Sequence, residues 1–186
     1  KMTRITVNIP QGVSGDFDVA HYTNTTTDNM WQLYLDMKQE SNLNYCVLLH
    51  SDCDMPIMQD PEAEYREHQW LWDKATGHVL IGGLGIGMVN VALLTNPNVT
   101  SVTIIENSQD VINLVWPHCA KDNRFNLIQA DIETWNPPLG SQWDVAWFDT
   151  WTTANSLSCS EYETLMRNKY SSYCTEIGFW GSLPPQ

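Results

Sequence analysis

From His78 to Leu94 the chain reads His-Val-Leu-Ile-Gly-Gly-Leu-Gly-Ile-Gly-Met-Val-Asn-Val-Ala-Leu-Leu; it continues as Thr-Asn-Pro-Asn-Val-Thr to Thr100 and as Ser-Val-Thr-Ile-Ile-Glu to Glu106. A short apolar run, Val79 to Ile81, enters a glycine cluster. It leaves as a helical pattern with Met88, Val91 and Ala92 on one face, then returns through Asn96-Pro97-Asn98 into a second β-branched run that ends on an acid. This order predicts a strand, a glycine turn, a helix and a second, parallel strand.

The glycines have a physical role in that unit. Without a Cβ, Gly83, Gly85 and Gly87 can take positive φ and let a ligand lie against the backbone, beside the donors of the following helix N-terminus. Glu106, at the carboxyl end of the second strand, is placed to accept hydrogen bonds from two vicinal ribose hydroxyls, with Asn107 beside it. A nucleoside-containing ligand is therefore expected. Counted from Gly83, the pyrophosphate fingerprint G-x-G-x-x-G would need glycine where Met88 stands, whereas G-x-G-x-G is met by Gly83, Gly85 and Gly87.

The third and fourth strands extend the pattern. Phe125 to Asp131 and Trp143 to Asp149 are β-rich runs that, like the second, end on an acid. In an open parallel sheet ligands sit beyond the carboxyl strand ends, so Asp131 is expected to accept from an adenine amino group with Ile132 beside the ring. The alternative for Asp131 is a helix cap before Glu133. Ser108 is expected to cap a helix through Val115 that Pro117 ends, and a later helix from about Leu157 to Tyr173 presents Tyr162, Leu165, Met166 and Tyr170 as one stripe. Glu176 to Gly181 is the last strand.

Towards the N-terminus, Arg4 to Ile9 and Asp16 to Tyr22 alternate polar and apolar residues, which predicts a small antiparallel layer. A helix capped at Thr27 or Asp28 follows. Leu43 to His50 and Met55 to Met58 read as further strands. Asp60 is expected to cap a helix with Pro61 at its start, running to Lys74 and stopping at Gly77. On that helix Asp60, Glu64 and His68 are spaced by four and share a face, read either as a solvated capping face or as a wall of the ligand cleft.

Composition narrows the function classes. The 186 residues, 42% hydrophobic and 17% charged, suit one domain with a sizeable core. With 22 acids against 9 bases the net charge is −13, which disfavours a nucleic-acid substrate because phosphate affinity comes largely from lysine and arginine. Five cysteines without a C-x-x-C pair suggest neither a disulfide framework nor a zinc site, so no metal is expected. No apolar run approaches the ~20 residues of a membrane helix and no signal-peptide pattern opens the chain, so a reducing cytoplasm is the expected setting.

The stretch from Val79 to Asp149 resembles the cofactor-binding half of the class I S-adenosylmethionine (SAM) dependent methyltransferases, most closely their spermidine-synthase-like branch, in which the first strand carries an aliphatic residue as Ile81 does here. The segments Ile9 to Phe17, Asp60 to His68 and Trp143 to Trp151 also resemble short methyltransferase-like proteins of bacteriophages and some bacteria, which would make the host cytoplasm the setting. The resemblance implies an α/β fold: a doubly wound, mostly parallel, Rossmann-like sheet of five strands in the order 3-2-1-4-5. Only five residues follow Gly181, so the usual terminal hairpin is expected to be trimmed away. Residues 1–59 would form a β-containing cap and 60–186 the Rossmann-like core. The lid would then come from the N-terminal 60 residues or from another subunit of a homo-oligomer.

The resemblance also implies SAM or S-adenosylhomocysteine as ligand, held by Gly83, Gly85, Gly87, Glu106, Asn107, Asp131 and Ile132. Asp149 occupies the place where the aminopropyltransferases carry an acid that engages and deprotonates the substrate amine; otherwise it caps the next loop through Thr150 and Thr152. Glu64, His68 and Trp151 are weaker candidates for the substrate side. No Asn-Pro-Pro-Tyr signature follows the fourth strand, which disfavours an N-methylating nucleic-acid enzyme. The leading expectation is a methyltransferase acting on a small molecule or protein, followed by an aminopropyltransferase and by a SAM-binding interaction protein without chemistry.

Overall fold

The computed structural model describes residues 4–23, 44–150 and 158–180. Strands β1 (Gly12–Ser14), β2 (Phe17–Thr23), β3 (Asn44–His50) and β4 (Met58–Gln59) form an antiparallel sheet in chain order. Two short helices follow, α1 (Glu62–Glu67) and α2 (Gln69–Lys74). Then β5 (Gly77–Gly82), α3 (Met88–Leu94), β6 (Val99–Glu106), α4 (Gln109–Val115), β7 (Phe125–Gln129), β8 (Trp143–Phe148), α5 (Cys159–Tyr170) and β9 (Cys174–Phe179) follow among the described residues.

The second sheet has the order β7-β6-β5-β8-β9, with every neighbouring pair parallel. This is the expected 3-2-1-4-5 order of a trimmed, Rossmann-like doubly wound sheet. Val79 pairs with Val102 and Ile81 with Ile104, as the two apolar runs require. Parallel strands covered on both faces carry continuous apolar runs, and Val79, Leu80 and Ile81 are all buried, as are Val145, Ala146 and Trp147.

One face of this sheet shares its core with the N-terminal sheet, joining Ile5, Val19 and Leu48 to Val79, Ile81 and Val145. The other face packs Leu80, Ala146 and Phe148 beneath Tyr162, Met166 and Tyr170 of α5. Leu165, expected on that stripe, is 41% exposed. Its flanking residues Tyr162 and Met166, spaced by four, already cover the sheet, and a side chain one position away from Met166 turns off the buried face. Ser158 and Glu161 form a reciprocal capping box at the start of α5.

Three further expectations are corrected. Arg4 to Ile9 is not a ladder strand, although Ile5, Val7 and Ile9 are buried in alternation; the Val7 amide donates to Asp60 Oδ2 at 3.2 Å instead of to a neighbouring strand. Asp60 caps no helix. It is fully buried, its Oδ1 accepts the Cys46 amide at 2.9 Å, and Arg4 lies 3.4 Å from the same oxygen, so it staples the N-terminal segment to β3. The expected single helix to Lys74 is two, separated at His68. The helix expected after Thr27 or Asp28 lies outside the described residues.

Candidate functional site

A cavity of about 230 Å³ opens at the carboxyl ends of β5, β6, β7 and β8. Its floor is the glycine turn, where Gly83 (φ 102°) and Gly85 (φ 55°) line the wall with left-handed backbone that other residues adopt only with strain. Glu106, Asn107 and Ser108 form one side, Ala130, Asp131, Ile132 and Glu133 the next, and Asp149 and Thr150 the far end. The roof is apolar: Phe17, Leu48, Ile57 and Met58 of the N-terminal sheet face the strand ends. The N-terminal residues thus supply a lid, one of the two sources expected for it.

Of the expected ligand residues, Gly83, Gly85, Glu106, Asn107, Asp131 and Ile132 meet in this one cavity, together with Asp149. Gly87 does not line it. Its φ of 77° starts α3, and a Cβ there would stand 2.7 Å from Cys119 Sγ, so its freedom serves the packing of the turn. Trp151 lies outside the described residues. Sequence reading drew the lid from the N-terminal 60 residues or another subunit without naming its residues, and it missed Glu133; the only local signals were the alternation around Phe17 and the apolar strand of Leu48.

Glu106 is anchored on both oxygens. Its Oε1 accepts the Leu84 amide at 3.0 Å and its Oε2 the Ser108 amide at 2.8 Å. A carboxylate has about four acceptor sites, so with the Leu84, Ser108 and Asn107 amides upon it Glu106 still has capacity to accept from the cavity. Burial raises the Glu106 carboxyl above its ordinary value, against the amides that favour its charge.

Asp131 lies two residues past the end of β7, and Asp149 one past β8, so only β6 itself ends on an acid. Asp131 Oδ1 accepts the Glu133 amide at 2.9 Å and so caps a turn, not the helix start weighed for it, while the residue still lines the cavity. The Asp149 amide donates to the Gly82 carbonyl at 2.9 Å, which fixes its backbone beside the glycine turn.

Behind Asp149, away from the cavity, stand Glu64 and His68. Neither is solvated and neither lines the cavity: His68 is fully buried and Glu64 is 6% exposed. His68 Nε2 is 3.6 Å from Asp149 Oδ2, and its ring lies between Trp72 and Trp147 with centroids 5.3 Å from each. Trp180 Nε1 donates to Glu64 Oε2 at 3.1 Å. Burial pushes the Glu64 carboxyl up to about 7, with His68 opposing and the Glu67 and Asp149 carboxylates reinforcing the rise. For His68, burial works to lower the pKa, but Asp149 and Glu64 outweigh it and the net direction is upward.

The charge of the cavity is one-sided. Glu106, Asp131, Glu133 and Asp149 line it, and no described lining residue is basic. Such a surface suits a ligand rich in hydrogen-bond donors or positive charge. Among the described residues no helix is long and apolar enough to cross a membrane.

No protein-family model matches the chain, and no curated protein is similar to it in sequence. Solved structures are similar to it in part. The N-methyltransferase NodS from Bradyrhizobium japonicum WM9 is 12% identical with a TM-score of 0.48, over 67% of this chain and 75% of that one. NodS in complex with S-adenosyl-l-homocysteine gives 15% identity and a TM-score of 0.37 over 46% of this chain and 42% of that one. Spermidine synthase from Thermotoga maritima gives 16% identity and a TM-score of 0.45 over 77% of this chain and 48% of that one. This chain therefore spans less than half the length of the last two. None of these structures bears on the resemblance to short phage proteins, and it is the strand order and the glycine turn, not these likenesses, that define the fold.

Proposed function

We propose that the chain binds SAM in the cavity at the ends of β5 to β8 and transfers its methyl group to a small-molecule or protein acceptor. The observation that carries this reading is the convergence of Gly83, Gly85, Glu106, Asp131 and Asp149 on one cavity whose described lining has four carboxylates and no base. The residues fit the ligand: Glu106 keeps acceptor capacity for the ribose, Asp131 with Ile132 suits an adenine edge and face, and the acidic wall suits a sulfonium charge.

When bound, SAM supplies a methyl group on a positively charged sulfur, already activated for in-line displacement. What remains for the protein is alignment and, for amine or hydroxyl acceptors, removal of a proton. Asp149 stands beside the glycine turn at the sheet's switch point and is 23% exposed, which supports reading it as the group that takes that proton. The roof of Phe17, Leu48, Ile57 and Met58 gives the same space an apolar cover.

A second reading is an aminopropyltransferase. The absence of a basic group among the described lining residues favours a ligand without a carboxylate, as decarboxylated SAM is. Calorimetric titration with SAM, S-adenosylhomocysteine and decarboxylated SAM tests both. Preference for decarboxylated SAM supports the second, tight S-adenosylhomocysteine binding without turnover supports a non-catalytic binding protein, and no binding of any of the three contradicts the proposal.

A further inference from the structure

The Glu64, His68 and Asp149 cluster is not explained by ligand binding, since two of its members lie outside the cavity. The His68 Nδ1 contact at 2.7 Å is the carbonyl oxygen of Glu64. A carbonyl can only accept, so Nδ1 carries a hydrogen. The other ring nitrogen, Nε2, has no hydrogen-bond partner within normal length and points at Asp149 Oδ2 3.6 Å away. A neutral ring, itself fully buried, would then turn its lone pair towards a carboxylate, although at so dry a nitrogen unlike charges attract strongly and lone pairs repel. A second proton on Nε2 removes that conflict.

We propose that His68 is a positioning residue for Asp149: a doubly protonated ring, clamped between Trp72 and Trp147 and hung from the Glu64 carbonyl, whose charge anchors and aims the Asp149 carboxylate at the cavity. This rests on the reading of Asp149 as the proton acceptor. The groups facing the ring are Asp149, the Glu64 carboxyl and the two tryptophan rings, with Glu67 acting through Glu64. Trp180 Nε1 holds the Glu64 carboxyl from the far side. The ring is held in place by its stacking on Trp72 at 14°, its contact with Trp147 and its complete burial. An acid in the cavity wall is thereby given a fixed orientation by a cation behind it, an arrangement that generalises the base and orienter pairing of other active sites.

The test is proton and nitrogen NMR of the histidine rings in the uniformly nitrogen-15-labelled full chain, from pH 6 to 9, for wild type, Asp149→Asn and Glu64→Gln. His68→Gln identifies the His68 signals if it folds, and their through-space contacts to the Trp72 and Trp147 rings identify them if it does not. The expected result is a wild-type His68 with both ring nitrogens protonated at pH 8, with a titration midpoint lowered by at least about one pH unit in Asp149→Asn, the equivalent of a tenfold loss of proton affinity. A wild-type ring protonated only on Nδ1 at pH 7 overturns the inference, as does an unchanged midpoint in Asp149→Asn. Calorimetry with S-adenosylhomocysteine on the same samples separates the two ideas: ligand binding with a neutral ring refutes the positioning role alone, and a charged ring without ligand binding refutes the SAM reading alone.

Discussion

The Glu106 carboxylate ties the glycine turn to the strand beside it, because its Oε1 accepts the Leu84 amide at 3.0 Å while its Oε2 holds the Ser108 amide at 2.8 Å. The same group that is placed to meet the ribose thus shapes the turn that meets the rest of the ligand. Hydrogen bonds to a charged partner contribute about 1.5 to 3 kcal/mol. Glu106→Ala is therefore expected to weaken S-adenosylhomocysteine binding at least about tenfold and to lower stability by about 1 to 3 kcal/mol in urea unfolding. Unchanged affinity would remove Glu106 from the site.

Gly87 separates turn architecture from ligand contact. Gly87→Ala places a Cβ at left-handed φ and 2.7 Å from Cys119 Sγ, so a loss of about 1 to 2 kcal/mol or more is expected from the backbone alone. Because Gly87 does not line the cavity, affinity in the folded fraction should stay within a few-fold. Gly83→Ala meets the same backbone penalty at φ 102° but within the wall, and both stability and affinity should fall. Equal loss of affinity in the two variants would contradict this division.

Asp149→Asn is nearly isosteric and uncharged. SAM binding should stay within a few-fold, while methyl transfer to amine or hydroxyl acceptors in a cell extract, followed with labelled SAM, should drop by about 10² to 10⁴. Full transfer activity in this variant would leave alignment alone to explain catalysis.

Stability should fall as pH rises across neutrality. Glu64 has its folded pKa at about 7, above the ordinary 4.5, so between those values the folded state keeps a proton that the unfolded chain releases. His68, shifted upward in the fold, contributes stability that is complete below its unfolded value of 6.5 and is lost as pH climbs through its folded value. Both act in one direction, with Glu64 alone costing up to about 3 kcal/mol above pH 7. The thermal midpoint by circular dichroism should therefore rise from pH 8 to about 5.5, and Glu64→Gln should flatten the slope. A midpoint that falls over that interval would show that neither group is buried as described.

Much of the parallel sheet was legible because its strands are short apolar runs separated by glycine, capping serine or proline, and because right-handed crossovers leave few ways to join them. Glu106, Asp131 and Asp149 stood out for the same reason: each follows an apolar run, where the sheet has to meet solvent or a ligand. What failed were charged residues near the cap. Asp60, Glu64 and His68 carry the spacing of an exposed helical face, and nothing local to them shows that Arg4, Val7 and Cys46 arrive to satisfy Asp60, or that Trp180 and Asp149 close over Glu64 and His68. Arg4 to Ile9 failed in the converse way. Its alternation reports burial on one side correctly, but a ladder needs a partner strand, and its amide at Val7 is taken by a side chain from far along the chain.

Isothermal titration calorimetry of the full chain with SAM, S-adenosylhomocysteine, decarboxylated SAM and NAD bears most directly on what the cavity binds. Saturable binding of SAM or S-adenosylhomocysteine, weakened at least about tenfold by Glu106→Ala, with no heat from NAD, is the expected result. Saturable binding of NAD without either SAM or S-adenosylhomocysteine would contradict it and assign the glycine turn to a dinucleotide.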